Sequence, residues 1–365
     1  MQVGDRHYRS IWVTENGWQV AIIDQTRLPH EFVVVTLQTL EDAVHAIRNM
    51  LVRGAPLIGA TAAYGVCLGI RQEGRDHDLK RIAATLLCSR PTAVNLRWAV
   101  DRMVQRLQSL APDQRLAAAY REAASICEED VTTNRAIGQH GAQLIRSIWK
   151  RTGRPVNILT HCNAGWLATV DWGTALAPVY QAHRQRIPVH VWVDETRPRN
   201  QGAHLTAWEL VEEQIPHHLI VDNSGGHLMQ HGDVDICIVG TDRTTATGDV
   251  CNKIGTYLKA LAAADNNIPF HVALPGSTID WRIADGLRDI PIEERDADEV
   301  LQIQGRLENG TVTTVTIAPD QTPAHNPAFD VTPARLITGL ITERGICPAS
   351  ADGLQGLYPE AARQS

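Results

Sequence analysis

No stretch of this chain approaches the roughly 20 consecutive apolar residues that cross a bilayer. Its first residues, MQVGDRHYRS, lack the apolar centre of a secretory signal. Neither a membrane partner nor export is therefore expected, and the compartment suggested is the cytoplasm. Cysteine is scarce and odd in number, seven in 365 residues without a repeated spacing, which excludes a disulfide framework. No Cys-x-x-Cys pair suggests zinc, and no metal site is expected. Cys67, Cys88, Cys127, Cys237 and Cys347 lie in apolar or helical surroundings and read as reduced core thiols. Positive charge is in deficit, 34 Lys and Arg against 41 Asp and Glu for a net −7, which opposes a nucleic-acid partner but leaves room for a local anion pocket. There is no Walker loop and no Gly-x-Gly-x-x-Gly after the first strand, so nucleotide binding is not indicated. Internal repeats and low-complexity linkers are also missing.

What is there is the balance of a globular protein, 44% hydrophobic and 21% charged, long enough for one large or two ordinary domains. YRSIWVTENGWQVAIIDQTRLP (8–29) alternates as two strands about Glu15-Asn16-Gly17, a turn whose Asn and Gly accept positive φ. Thr39 and Asp42 form a capping box ahead of LEDAVHAIRNML, and helical periodicity continues to about Trp149. After KRTGRP the texture changes to short apolar runs, VNILTHC, VHVWVDE, HLIVD, ICIVGTD and PFHVAL, alternating with helical segments. Such continuous runs predict a parallel sheet covered on both faces. The fold class expected is α/β: a mostly helical N-terminal domain with a small β-hairpin (1–150), then a Rossmann-like parallel-sheet domain (151–365). The final residues, LYPEAARQS, are expected to fray.

In an open parallel sheet the ligand crevice lies beyond the carboxyl ends of the strands. Three strands end suggestively, in Cys162, in Asp194-Glu195 and in Asp242. GWLATVDWGTALAPVYQAH directly after Cys162 predicts a helix whose N-terminus would stabilise a thiolate; a passive thiol in a tight turn is the competing reading. A partly desolvated Asp242 would hold its proton more tightly and could serve as an acid, or simply cap a turn. Asp194 and Glu195 are expected to pair with nearby Arg197 and Arg199. Arg53 before Gly54, Ala55 and Pro56 places a guanidinium and free amides at a helix start, as an anion site requires, while the Gly and Ala that follow suit close helix packing. Arg90 before one further helix, and Asn252 with Lys253 before another, extend the case for a phosphate ligand.

Together VRGAPLIGATAAYG, SRPTAVNL, HCNAG, DETRPRNQGAHLTAWEL, GTDR, CNKIGTY and NPAFDVTP resemble the methylthioribose-1-phosphate isomerase family, relatives of the regulatory subunits of the eukaryotic initiation-factor guanine-nucleotide exchange factor. The resemblance runs from about Arg9 to Ile346. It implies Cys162 and Asp242 as catalytic pair, and Arg53, Gly54, Ala55, Arg90, Gln201, Asn252 and Lys253 as substrate contacts. It further implies a sugar-phosphate substrate, no cofactor and a homodimer. The alternatives are an isomerase of 5-deoxyribose 1-phosphate or ribose 1,5-bisphosphate, which would use the same chemistry, and a non-catalytic subunit sensing sugar phosphates or nucleotides, which would keep the fold but need neither Cys162 nor Asp242. Thr241, where that family usually has alanine, and Ser224-Gly225-Gly226 depart from it.

Overall fold

The structure, a computed structural model, describes residues 1–74 and 78–361. β1 (Gln2–Val3) and β2 (Arg6–His7) form a short ribbon, and β3 (Ile11–Val13), β4 (Val20–Ile23) and β5 (Val34–Leu37) an antiparallel sheet in that order. The expected hairpin is β3–β4, turning where Asn16 Oδ1 accepts the amides of Trp18 and Gln19 and Gly17 takes φ 79°. The third strand, β5, is not apparent in the sequence pattern.

α1 (Leu40–Arg48) opens on the reciprocal bonds of the capping box, Asp42 amide to Thr39 hydroxyl and Thr39 amide to Asp42 carboxylate. α2 (Ala55–Glu73) is buried almost all round because its small residues admit its neighbours. A Cβ on Gly59 would lie 3.0 Å from the Asn95 carbonyl, and one on Gly65 3.1 Å from Ala43. α3 (Leu79–Leu87) and α4 (Val94–Leu107) complete this core with the first half of α5 (Pro112–Thr152), a helix of 41 residues and about 60 Å. The second half of α5 gives Ile137, Ile145 and Ile148 to a separate core beneath the main sheet. Gly153 in the left-handed conformation closes it. Cys88 departs from expectation: at the C-cap of α3 it is exposed, whereas Cys67, Cys127, Cys237 and Cys347 are buried.

Strand and helix then alternate through β6 (Val156–Thr160), α6 (Ala177–Arg184), β7 (Val189–Asp194), α7 (Ala207–Glu212), β8 (His217–Ile220), α8 (Ser224–Gln230) and β9 (Ile236–Val239). A side hairpin, β10 (Arg243–Thr245) and β11 (Val250–Lys253), precedes α9 (Thr256–Asp265) and β12 (Phe270–Ala273). β13 (Ile279–Asp280), the ribbon β14 (Gln302–Arg306) and β15 (Val312–Thr316), β16 (Phe329–Thr332), β17 (Gly339–Thr342) and β18 (Gly345–Cys347) follow. The seven-stranded sheet runs β18-β17-β12-β9-β6-β7-β8, parallel except for β18. Its strands β9, β12 and β17 are buried at every residue, as runs covered on both faces must be. A second sheet, β13-β10-β11-β16, was not foreseen. Leu357 ends a helix and Tyr358 is buried, so the chain does not fray there; residues 362–365 of the expected tail lie outside those described. Among the described residues no helix is long and apolar enough to cross a membrane.

Candidate active site

From β6 the sheet grows in one direction through β7 and β8, and in the other through β9, β12 and β17. The crevice of such a sheet opens where the winding reverses, beyond the carboxyl ends of β6 and β9. Cys162 follows β6 by two residues and Asp242 follows β9 by three. Cys162 is buried at φ 65°, and its amide donates to Thr196 Oγ1 at 2.8 Å while its carbonyl accepts from Thr206 Oγ1 at 2.7 Å. Thr196 is itself at φ 66°, an outlier for a β-branched residue, so two strained turns brace each other.

The helix expected directly after Cys162 does not form. A short 3₁₀ turn, Trp166–Ala168, is followed by Trp172 and Gly173 at φ 73° and 77°, and α6 starts only at Ala177 with a proline in its first turn. Left-handed residues interrupt the periodicity, and Pro178 fits a helix start. No helix therefore starts at the sulfur from its own chain segment. Burial pushes the Cys162 thiol up, and the charges of Arg53 and Lys253 pull it back only in part. Burial likewise raises the Asp242 carboxyl against the pull of Arg90, Arg53 and Lys253. The Lys253 ammonium is lowered by burial and supported by Cys162 and Asp242.

Cys162, Asp242, Arg53, Gly54, Ala55 and Asn252 line one cavity of about 30 Å³. Gly54 caps α2 at φ 90° without a side-chain acceptor, leaving amides of the first turn for an anion. Arg53 grips Asn163 through its side-chain oxygen and its carbonyl, the latter at 2.6 Å. Asn163 in turn donates to Glu209 at 2.9 Å. The fully buried Glu209 also accepts the amides of Trp166 and Leu167, each at 3.0 Å, and the Tyr180 hydroxyl. Thr241 lines the same cavity with its hydroxyl bonded to the backbone of Arg243 and Cys251. Ser224, Gly225 and Gly226 begin α8, where Gly225 packs on Leu159 and Lys259.

Other expected residues stand differently from their sequence reading. Arg90 precedes α4 by four residues, lines an adjacent cavity with Asp242, and donates to Glu293 at 2.9 Å. Asn252 and Lys253 end β11 rather than start a helix, because their pairing with Asp330 and Phe329 of β16 holds them extended. Gln201 lines a larger cavity of about 320 Å³ that shares Arg53, and its buried Oε1 has no partner. Asp194 does not pair with Arg197 or Arg199; it meets His161 and Lys259, while Arg199 pairs with Glu299. Asn163, Glu209 and Glu293 were missed: a glutamate on the short α7 reads as a solvated face, and Arg90 lies 203 residues from Glu293. His227 on α8 and His231 at its C-terminal cap have ring centroids 4.2 Å apart.

The helical half, the switch-point crevice and the glycine-capped start of α2 define a class, and the chain belongs to the initiation factor 2 subunit family, whose model matches residues 51–349. Within it the sequence stands among the methylthioribose-1-phosphate isomerases. That of Rhodospirillum rubrum is 64% identical, covering 99% of this chain and 94% of its own, and that of Methylorubrum populi is 62% identical over 99% of each. The crystal structure of 5-methylthioribose 1-phosphate isomerase from Pyrococcus horikoshii matches with TM-score 0.82 at 39% identity, covering 97% of each chain. The translation initiation factor eIF-2B subunit delta from A. fulgidus matches at 0.79 and 39%, covering 97% of this chain and all of that one.

Proposed function

We infer that this chain is an aldose–ketose isomerase converting 5-methylthioribose 1-phosphate to 5-methylthioribulose 1-phosphate in methionine salvage, and that Cys162 and Asp242 move its protons. Whole-length similarity to isomerases supports the reaction. The pair is supported by one observation: strand ends on either side of the winding reversal bring a thiol and a carboxyl into a single buried cavity beside Arg53. A phosphate on the anomeric carbon locks the sugar ring, so isomerisation must open it. At rest the sulfur carries a proton and Asp242 is ionised; passage of that proton to Asp242 creates thiolate and acid together without changing the net charge. Thiolate removes the proton from C2 as the C1–O4 bond breaks, and Asp242 protonates O4. The enol phosphate then takes the proton from sulfur at C1, and Asp242 receives the one released by the C2 hydroxyl. The ketose forms, and the pair returns to one proton on sulfur after a final transfer between them.

In this scheme residues 1–150 supply Arg53, Gly54, Ala55 and Arg90 for the phosphate, and residues 151–365 supply Lys253, Asn252 and Gln201 with the reacting pair. No step calls for a metal or cofactor. The larger cavity, where Leu28, Met50 and Leu205 stand beside Arg53, Arg199, Asp298 and Glu299, offers an apolar wall for a methylthio substituent at C5. We place the enzyme in the cytoplasm as a homodimer; edge strand β8, with exposed Leu219, supports a seam that sedimentation would reveal. The decisive assay is ketose formation from 5-methylthioribose 1-phosphate by the purified protein. Cys162→Ser and Asp242→Asn should each lower kcat about 10²–10⁴-fold with the fold intact. Run in D₂O, the product should carry deuterium at C1, whereas complete retention of the substrate's hydrogen would point to hydride transfer.

A further inference from the structure

His161 lies directly before Cys162, and none of the steps above uses it. Its ring is 1% exposed and both of its nitrogens face acceptors: Nδ1 lies 2.9 Å from Asp194 Oδ2 and Nε2 lies 2.8 Å from the Ile254 carbonyl. Neutral imidazole has a single N–H, so filling both acceptors requires the imidazolium. The charges packed around it fit that state. Asp194, fully buried, also receives Lys259 Nζ at 3.1 Å. Asp222, 4.0 Å from Nδ1, is engaged by the amides of Thr196 and Arg197, each at 2.8 Å. Asp330 of β16 takes the amides of Gly255 and Tyr257 at 2.7 and 3.1 Å. Two cations thus stand among three carboxylates. His161, Asp194 and Asp222 have ligand atoms within 4.8 Å of one another, yet the Lys259 ammonium already sits on Asp194 and both imidazole nitrogens face protein partners.

The bond to Ile254 reaches the residue after Lys253. The turn there is shaped for the ring: Gly255 has φ 102°, and a Cβ on it would lie 3.0 Å from His161 Cε1. We propose that His161 is a positioning residue whose two ring nitrogens tie the Cys162 turn at the end of β6 to the Lys253 turn at the end of β11 and so set the spacing of thiol and ammonium. The idea rests on the roles given above to Cys162 and Lys253, but its first test needs no substrate. In ¹⁵N NMR of the histidine-labelled enzyme, one of the 15 histidines should show both ring nitrogens engaged as hydrogen-bond donors. The signal should vanish in His161→Gln. An unsubstituted enzyme with no such signal lost in His161→Gln overturns the proposal, whatever its activity. His161→Gln keeps a donor toward Ile254 and His161→Asn one toward Asp194. The asparagine variant should lose about a hundredfold in kcat and the glutamine variant markedly less, with product affinity within about threefold, as a small displacement of one reacting group predicts. Equal losses in the two variants, or a change confined to KM, would count against the tie to Lys253.

Discussion

At Cys162 burial and reactivity pull in opposite directions. With no helix starting directly after it and its thiol raised by burial, the sulfur in the proposed scheme becomes a thiolate during turnover rather than at rest. The exposed Cys88 should therefore react first with a small alkylating agent, and Cys162 later and later still under bound substrate analogue, which mass-spectrometric mapping would read; Cys162 labelled ahead of Cys88 would restore a standing thiolate. Asp242 carries a linked expectation. Its carboxyl is raised by burial from an ordinary 3.8, so stability from the protonated form is present below that value and lost as pH rises through the raised one. Asp242→Asn should melt higher than the parent at neutral pH while turning over far more slowly, and the advantage should shrink toward pH 4. The acid limb of kcat/KM, where Asp242 takes up a proton, should fall above the usual carboxylate range, and Arg90→Gln, by removing the strongest opposing charge, should move it higher still. Glu209 offers a third check. Because its two oxygens take two amides, an asparagine and a tyrosine, Glu209→Gln turns an NH₂ toward donors and should cost about 1–3 kcal/mol of stability. It should also raise KM, since Asn163 then no longer holds Arg53 in place.

Among the elements, the start of α2 admits no side chain at its cap. Gly54 sits at φ 90° with its absent Cβ 2.5 Å from Ala168 Cα, so Gly54→Ala should destabilise the fold by at least about 1–3 kcal/mol in denaturant titration and weaken phosphate binding. This helix, the capping box of α1 and the five apolar strands were legible because each is written locally, in period, caps and β-branched runs. So were Cys162 and Asp242, as polar residues ending such runs. The second sheet was not. Its strands are two to four residues long and mixed in polarity, and Asn252 is held extended by Asp330, 78 positions away, a pairing no local pattern records. The helix after Cys162 was misread for the opposite reason: GWLATVDWGTALAPVYQAH has the apolar spacing of a helix, but its Trp172-Gly173 corner folds back so that Gly173 packs against Gly165. Gln201 became visible as a site residue only through family resemblance, because an amide in a loop carries no period; its unpartnered oxygen shows it only in three dimensions.

For the molecule as a whole, a phosphate gripped by Arg53 from the helical half and Lys253 from the sheet half would make the ligand a bond between them. Substrate analogue at a hundred times its Kd should add about 2.7 kcal/mol to unfolding, seen as a higher Tm, and Arg53→Ala should lose most of that gain at the same concentration. The two halves are already joined by α5, whose early turns lie in one core and whose late turns lie in the other. During synthesis this arrangement imposes an order. Ile137, Ile145 and Ile148 leave the ribosome well before Ile236, Ile238 and Ile341, the strand residues that share their core. At roughly 5–20 residues per second the last of these follows Ile148 by about 10–40 s. Through that interval the far half of the helix has α6 beside it but not the strands of its core, and the apolar edge left open is a natural site for a chaperone to hold the nascent chain and for aggregation when translation stalls.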